Sequence, residues 1–76
     1  MPSAALPFDR VVIAEEGDRL DYTTAQFLAT PIHRRIRWLL ESRLTFFWRS
    51  RPVEKRDALM ALRRYETDQL REQGKL

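Results

Sequence analysis

The chain has 76 residues, no cysteine and one histidine, so neither a disulfide framework nor a metal site built from cysteine and histidine is expected. Charged residues make up 33% and apolar residues 43% of the sequence, a balance that predicts one small soluble domain rather than a disordered chain. A domain of this size buries only about 60% of its unfolded surface, so we expect a binding partner to support it.

The net charge of +3 is unevenly distributed. Residues 1–30 carry two basic and five acidic side chains, residues 31–51 carry six arginines and one glutamate, and residues 52–76 carry six basic and five acidic side chains. The N-terminal sequence lacks the basic start and continuous apolar stretch of a secretory signal, and no window reaches the length of a membrane-spanning helix. We therefore expect a cytoplasmic protein whose middle third is its basic part.

The first third of the sequence predicts an arm followed by a hairpin. Residues 1–9 contain two prolines and no periodicity, which indicates an irregular arm. Residues 10–22 place a β-branched run before Gly17 and a shorter alternation after it, as in a β-hairpin with the glycine at a positive-φ turn position. Asp21 or Thr23 is then a candidate cap for a short helix that reaches Leu28.

The clearest predicted element is a long helix over residues 31–49. Thr30 and Pro31 supply a hydroxyl cap and a proline at the first helical position. At about 100° per residue, one broad face collects the apolar side chains Ile32, Ile36, Leu39, Leu40, Leu44, Phe46 and Phe47. The opposite face collects Arg34, Arg35, Trp38, Ser42, Thr45 and Arg49. Arg43 projects into the apolar face, where its guanidinium must reach solvent or a carboxylate.

A second long helix is predicted over residues 52–73. Ser50, Arg51 and Pro52 interrupt the preceding helix, and Gly74 is placed to terminate the new one. The predicted fold is therefore mainly α, with residues 10–76 as a single small helical domain. Its two long helices form an antiparallel hairpin, preceded by the short helix and by the N-terminal arm or β-hairpin.

Residues suited to catalysis are sparse. His33 is the only histidine, and no pattern supplies a nucleophile with a base that a third group orients. The acidic cluster surrounds the predicted turn and lacks the ligand spacing of a calcium loop: Glu15, Glu16, Asp18 and Asp21. Two glycines cannot build a phosphate-binding loop. We predict no catalytic residue, no metal site and no cofactor, and therefore not an enzyme.

The basic part of the chain also contains both tryptophans, and arginine and tryptophan are enriched at interface hot spots. The predicted partner-binding residues are Arg34, Arg35, Arg37, Trp38, Arg43, Trp48 and Arg49. Each tryptophan is either part of the core or part of an interface, and the pattern leaves both interpretations open.

The function favoured by these observations is a non-catalytic protein-interaction module, such as an accessory, adaptor or regulatory subunit that binds a larger protein. A nucleic-acid-binding protein that uses the arginine cluster is the first alternative, because a short helix followed by IHRRIRW superficially resembles a helix-turn-helix. Attachment to a membrane surface is a further alternative, since the stretch mixes arginines with Phe, Leu and Trp. Self-association into a homo-oligomer also stays open.

Overall fold

The computed structural model describes residues 6–74. In chain order the elements are β1 (Arg10–Glu15), β2 (Asp18–Thr23), α1 (Thr24–Ala29), α2 (Ile32–Leu40), β3 (Leu44–Trp48), β4 (Arg51–Pro52) and α3 (Lys55–Glu72). The four strands form one antiparallel sheet in the order β2-β1-β3-β4.

The predicted hairpin is confirmed. β1 and β2 pair over their full length, from Arg10 opposite Thr23 to Glu15 opposite Asp18. Gly17 has φ +71° in the connecting turn, a backbone conformation that residues with a Cβ rarely adopt. Of the predicted arm, residues 6–9 form no helix or strand, but Phe8 is buried in the core, and the rest of the arm lies outside the described residues.

The predicted short helix is α1, and its cap is Thr23 rather than Asp21. The Thr23 hydroxyl accepts a hydrogen bond from the Gln26 N–H, and the Gln26 side chain accepts one from the Thr23 N–H. This reciprocal capping box fixes the point at which β2 turns into α1. At the other end of the chain, Gly74 follows α3 with φ +74°, as predicted for a terminating glycine.

The prediction of a helix over residues 31–49 is wrong. α2 ends at Leu40, Ser42 takes φ +55°, and residues from Leu44 onward form β3. Two causes act together: the run LTFFW is rich in residues that favour strands, and pairing with β1 satisfies its backbone groups. Leu44 and Phe46 alternate into the core as a strand requires.

The mainly α fold class and the antiparallel helical hairpin are therefore also wrong. Pro52 lies in β4 and not in a helix, and the last helix begins at Lys55 after Glu54. α3 is the one long helix of the described residues, and it packs against β3 rather than along a second long helix. The domain is a mixed α and β structure.

The core lies between one face of the sheet and the helices. Its buried side chains are Phe8, Val11, Ile13, Phe27, Trp38, Leu44, Phe46, Ala58 and Leu62. Phe8 stands edge-on to Phe27 and Phe46, with ring centroids 6.5 and 4.8 Å away. Aromatic edge-to-face packing adds about 0.5–1.5 kcal/mol per pair beyond burial, which helps a core of this size.

Candidate functional site

The predicted partner-binding residues lie in three separate places. Arg34, Arg37, Trp38 and Arg43 surround a polar pocket of about 280 Å³ beside the end of β1. Arg35 points from α2 toward α3. Trp48 and Arg49 lie at the end of β3 and in the turn that follows. A continuous surface of all seven residues would need the single helix that the structure lacks.

Trp38 belongs to the core. Its side chain is 2% exposed, its ring stands edge-on to Tyr22 at 6.2 Å, and its indole N–H donates a 3.0 Å hydrogen bond to Glu15. The Arg34 guanidinium lies 5.1 Å from the indole centroid and 3.9 Å from the same Glu15 carboxylate. The arginine covers the tryptophan from solvent, which explains a tryptophan on the polar side of the helix.

The charged side chains that line the polar pocket compensate one another. Its lining includes three arginines and three glutamates: Arg34, Arg37, Arg43, Glu15, Glu16 and Glu41. Arg43 donates to the Glu41 carboxylate at 2.7 Å and to the Ala14 carbonyl oxygen at 2.7 Å. Of the two outcomes expected for Arg43, solvent or a carboxylate, the structure shows a carboxylate from within the chain. A pocket with equal numbers of opposite charges provides little net field for a charged ligand.

The β3–β4 turn presents a small basic and aromatic tip. Trp48 is 41% exposed, and the Arg49 guanidinium lies 5.3 Å from its ring centroid. Arg49 and Ser50 have φ +50° and +67°, which makes a two-residue turn between the paired residues Trp48 and Arg51. The Arg49 N–H donates to Asp9 at 3.2 Å, which ties the turn to the start of β1.

The most unusual surface is an apolar ridge on α2, made of Ile32, Ile36 and Leu40. These residues recur every four positions on one side of the helix, and they are 53%, 47% and 79% exposed. Single exposed apolar side chains are common on proteins, but a row of three on one short helix is a contiguous patch. All three residues of this α2 ridge belong to the apolar face predicted from the sequence.

Next to the α2 ridge, a cleft of about 140 Å³ opens between α2 and α3. Its apolar lining residues are Phe27, Ile32, Ile36, Leu39, Leu44, Leu59 and Leu62. Phe27, Leu44 and Leu62 are core residues, so the α2–α3 cleft reaches the core. Two residues of the α2 ridge form part of its wall, which makes ridge and cleft one continuous apolar surface.

Arg35 and Glu66 are the charged residues of this lining. Their side chains form an ion pair at 3.5 Å that connects α2 to α3. Arg35 also donates to the Thr30 carbonyl oxygen at 3.1 Å and lies 5.7 Å from the Phe27 ring. Its guanidinium is thus held by contacts within the chain, and the ion pair is one link between α2 and α3.

The arginines of α2 are largely compensated by carboxylates from other parts of the chain. Arg34 and Arg35 pair with Glu15 and Glu66, and Arg37 lines the polar pocket together with three glutamates. The apolar surface of the α2 ridge therefore has a polar border that contains both signs of charge.

The sequence placed the α2 ridge on an apolar face but did not show what covers that face. The four-residue spacing of its members is the same for a buried and an exposed face. For the same reason, the sequence pattern left Trp38 open between core and interface.

Within residues 6–74, no group of three or more histidine, aspartate and glutamate side chains is placed to hold a metal ion. Over the same residues, no helix combines the length and the apolar character that crossing a bilayer requires. No family model matches the chain, and comparisons with curated proteins and with solved structures find no match either.

Proposed function

We propose that this protein is a non-catalytic interaction module that binds a larger protein through the α2 ridge and the α2–α3 cleft. The observation that supports the proposal is the exposure of Ile32, Ile36 and Leu40 along one side of α2. A row of apolar residues at this spacing is the pattern with which an amphipathic helix docks against an apolar surface of another protein. The proposed location is the cytoplasm, as the composition favours.

The residues that support this proposal differ from those predicted from the sequence. Trp38 is buried, so the substitution Trp38→Ala would disturb the core and could not report on an interface. Arg34 covers Trp38 and pairs with Glu15, which gives it a role within the chain. Arg37 is exposed, but it lines the polar pocket with the three glutamates and not the α2–α3 cleft.

Native mass spectrometry of the tagged protein, purified gently from its host with and without nuclease, tests the proposal. The informative comparison is the double variant Ile36→Ser/Leu40→Ser against Met60→Ser, because Met60 is 62% exposed but lies on α3 outside the cleft lining. We expect a stoichiometric protein partner that survives nuclease, is lost in the double variant and is retained in Met60→Ser. A partner retained in the double variant contradicts the assignment of the surface.

Nucleic-acid binding is the second candidate, and the β3–β4 turn is the observation that favours it. Trp48 is partly exposed beside Arg49 and Arg51, and aromatic rings with arginines are what single strands stack on. For this candidate we expect the protein to bind a single-stranded oligonucleotide. The affinity should fall steeply with salt concentration and should be lost in Trp48→Ala/Arg49→Ala. Binding that is unaffected by salt and by the double substitution eliminates the candidate.

A further inference from the structure

The β3–β4 turn places an exposed indole between two arginines. Trp48 is 41% exposed, and the Arg49 guanidinium lies 5.3 Å from its ring centroid. Arg51 is directly opposite Trp48 in the β3–β4 pairing. Opposite residues of an antiparallel pair extend their side chains from the same face of the sheet, with Cβ atoms about 5 Å apart. Trp48, Arg49 and Arg51 thus form one compact group, the turn tip.

The arginines of the turn tip are not compensated as those of α2 are. Within residues 6–74, neither Arg49 nor Arg51 takes part in an ion pair with a carboxylate. Asp9 is bound to the turn through the Arg49 N–H, which leaves an excess of one positive charge. The next charged residues, at positions 54–57, are two basic and two acidic and cancel one another. The turn tip therefore attracts anions.

The backbone of the turn also favours a binding role over a purely structural one. Arg49 and Ser50 have φ +50° and +67°, positions at which glycine or asparagine is usual. Residues in such conformations lower stability, and they cluster at binding sites. The N–H of Arg49 is held by Asp9 at 3.2 Å, so the turn keeps this conformation. An arginine thus occupies a position that stability alone would give to glycine.

A single nucleic-acid strand offers the groups that this arrangement can bind. Every base has a π face that stacks on an aromatic ring, and losing one such contact weakens binding about 5- to 150-fold. The present Arg49–Trp48 contact corresponds to only about two- to fivefold, so a base can displace the guanidinium from the ring. Guanidinium groups bind phosphates well. A duplex offers the phosphates but keeps its bases stacked on each other.

We propose that the turn tip holds one unpaired base of a single-stranded nucleic acid on the Trp48 indole, with the flanking phosphates on Arg49 and Arg51. The inference rests on the second candidate function and deepens it, and it does not involve the α2 ridge. Because stacking accepts all four bases, the site selects single strands over duplexes and does not select a sequence. A membrane is a poorer occupant, since Trp48 is the one exposed large apolar residue of residues 44–53 and attachment takes a wider apolar face.

Fluorescence titration of the full-length protein tests the stacking. Labelled oligo-dT, oligo-rU and a DNA duplex of equal length report binding by anisotropy, and tryptophan emission reports stacking, because Trp38 is buried. We expect both single strands to bind about tenfold or more tightly than the duplex and to quench the emission. Trp48→Leu should weaken the single strands about tenfold, whereas Trp48→Phe should keep most of the affinity.

Salt dependence tests the phosphate contacts. Two phosphates neutralised on a single strand predict a slope of log K against log salt of about −1.4, and Arg51→Gln should reduce its magnitude by about 0.7. Arg71→Gln is the matched control, because Arg71 is also exposed but lies in the last turn of α3. It should leave the slope unchanged. Equal slopes in the two variants would overturn the assignment of Arg51.

Each remaining failure has a separate meaning. If the wild type binds neither single strand, the inference and the second candidate function fail together, and the α2 ridge is still tested by Ile36→Ser/Leu40→Ser. If Trp48→Leu is folded by circular dichroism and binds like the wild type, or if the duplex binds equally well without quenching, the stacking inference is overturned while nucleic-acid binding stands. Binding to anionic vesicles that Trp48→Leu abolishes, without oligonucleotide binding, overturns it in favour of a lipid surface.

Discussion

The two sides of α2 face the reverse of what their hydropathy suggests: the more apolar side faces solvent, and the side that contains Trp38 faces the core. Trp38 and Arg35 turn toward the protein, with Trp38 2% exposed and the Arg35 side chain 13% exposed. The side that carries Ile32, Ile36 and Leu40 turns toward solvent. In an ordinary surface helix the apolar stripe faces the core. The difference shows that α2 has an apolar side left over after the domain has formed its core.

The orientation follows from what surrounds the helix. The large indole of Trp38 fills the space next to Tyr22, and its one polar atom is satisfied by Glu15. Arg35 is likewise satisfied by Thr30 and Glu66. Side chains that look polar in a projection are thus buried through their apolar parts, while their polar atoms find partners. Burial within the domain does not explain Ile32, Ile36 and Leu40 in this way, and we therefore propose that a partner covers them.

Truncating the buried side should have the largest effect. Trp38→Ala removes a large buried side chain and leaves Glu15 without its donor, and we expect it to lower the free energy of unfolding by about 3–5 kcal/mol. That is comparable to the entire stability of a domain of this size. Urea unfolding followed by circular dichroism measures the loss. Trp48→Ala is the matched control, and an equal loss in both would contradict the different placement of the two tryptophans.

Removing the acceptor of the indole should have the next largest effect. Glu15→Ala leaves the Trp38 N–H without its hydrogen-bond partner, which should cost about 1–3 kcal/mol. Glu15→Gln keeps an oxygen at the same position and should recover much of the loss. Glu16→Ala, at the exposed neighbouring position, is the control in the same urea experiment. Equal stability of the alanine and glutamine variants would mean that the hydrogen bond contributes little.

Loosening α2 from α3 should have a smaller effect. Arg35→Met keeps an unbranched apolar side chain over Phe27 but removes the hydrogen bond to Thr30 and the ion pair with Glu66. We expect a loss of about 1 kcal/mol, because Glu66 is partly exposed and recovers hydration. Thermal unfolding midpoints report the change. A loss as large as that of Trp38→Ala would show that the pair is essential to the fold.

Substitution on the exposed side should have the smallest effect on stability. Leu40 is 79% exposed, so Leu40→Ser should change the free energy of unfolding by no more than about 0.5 kcal/mol. The same substitution should weaken partner binding, and this separation of stability from binding is what distinguishes a docking surface from a core. A stability loss above 1.5 kcal/mol, outside the range of a surface substitution, would place Leu40 in the protein's own packing.

The N-terminal half of the fold was predictable because its signals are local. Gly17 marks the turn of the hairpin, and Thr23 with Gln26 forms a capping box that depends on four consecutive residues. Gly74 marks the end of α3 in the same way. None of these features requires knowledge of distant contacts.

The central part was not predictable because its structure is decided by distant pairing. Residues 44–48 fit a helical projection, yet they form β3 by pairing with β1 more than thirty positions earlier, as in Arg10 opposite Phe47. The β3–β4 turn had no sequence signal, because Arg49 and Ser50 occupy positive-φ positions that normally take glycine or asparagine. Once β3 is a strand, α2 is short, and the predicted binding residues separate into three places.

Site-specific photo-crosslinking in the host cell tests the docking surface most directly. A benzophenone amino acid replaces Leu40 on the α2 ridge in one variant and Met60 in the other, both highly exposed positions. We expect one discrete adduct with a different protein from position 40, lost when Ile36→Ser is added, and none from position 60. No adduct from position 40, the same adducts from both positions, or an adduct with a second copy of this chain would contradict it.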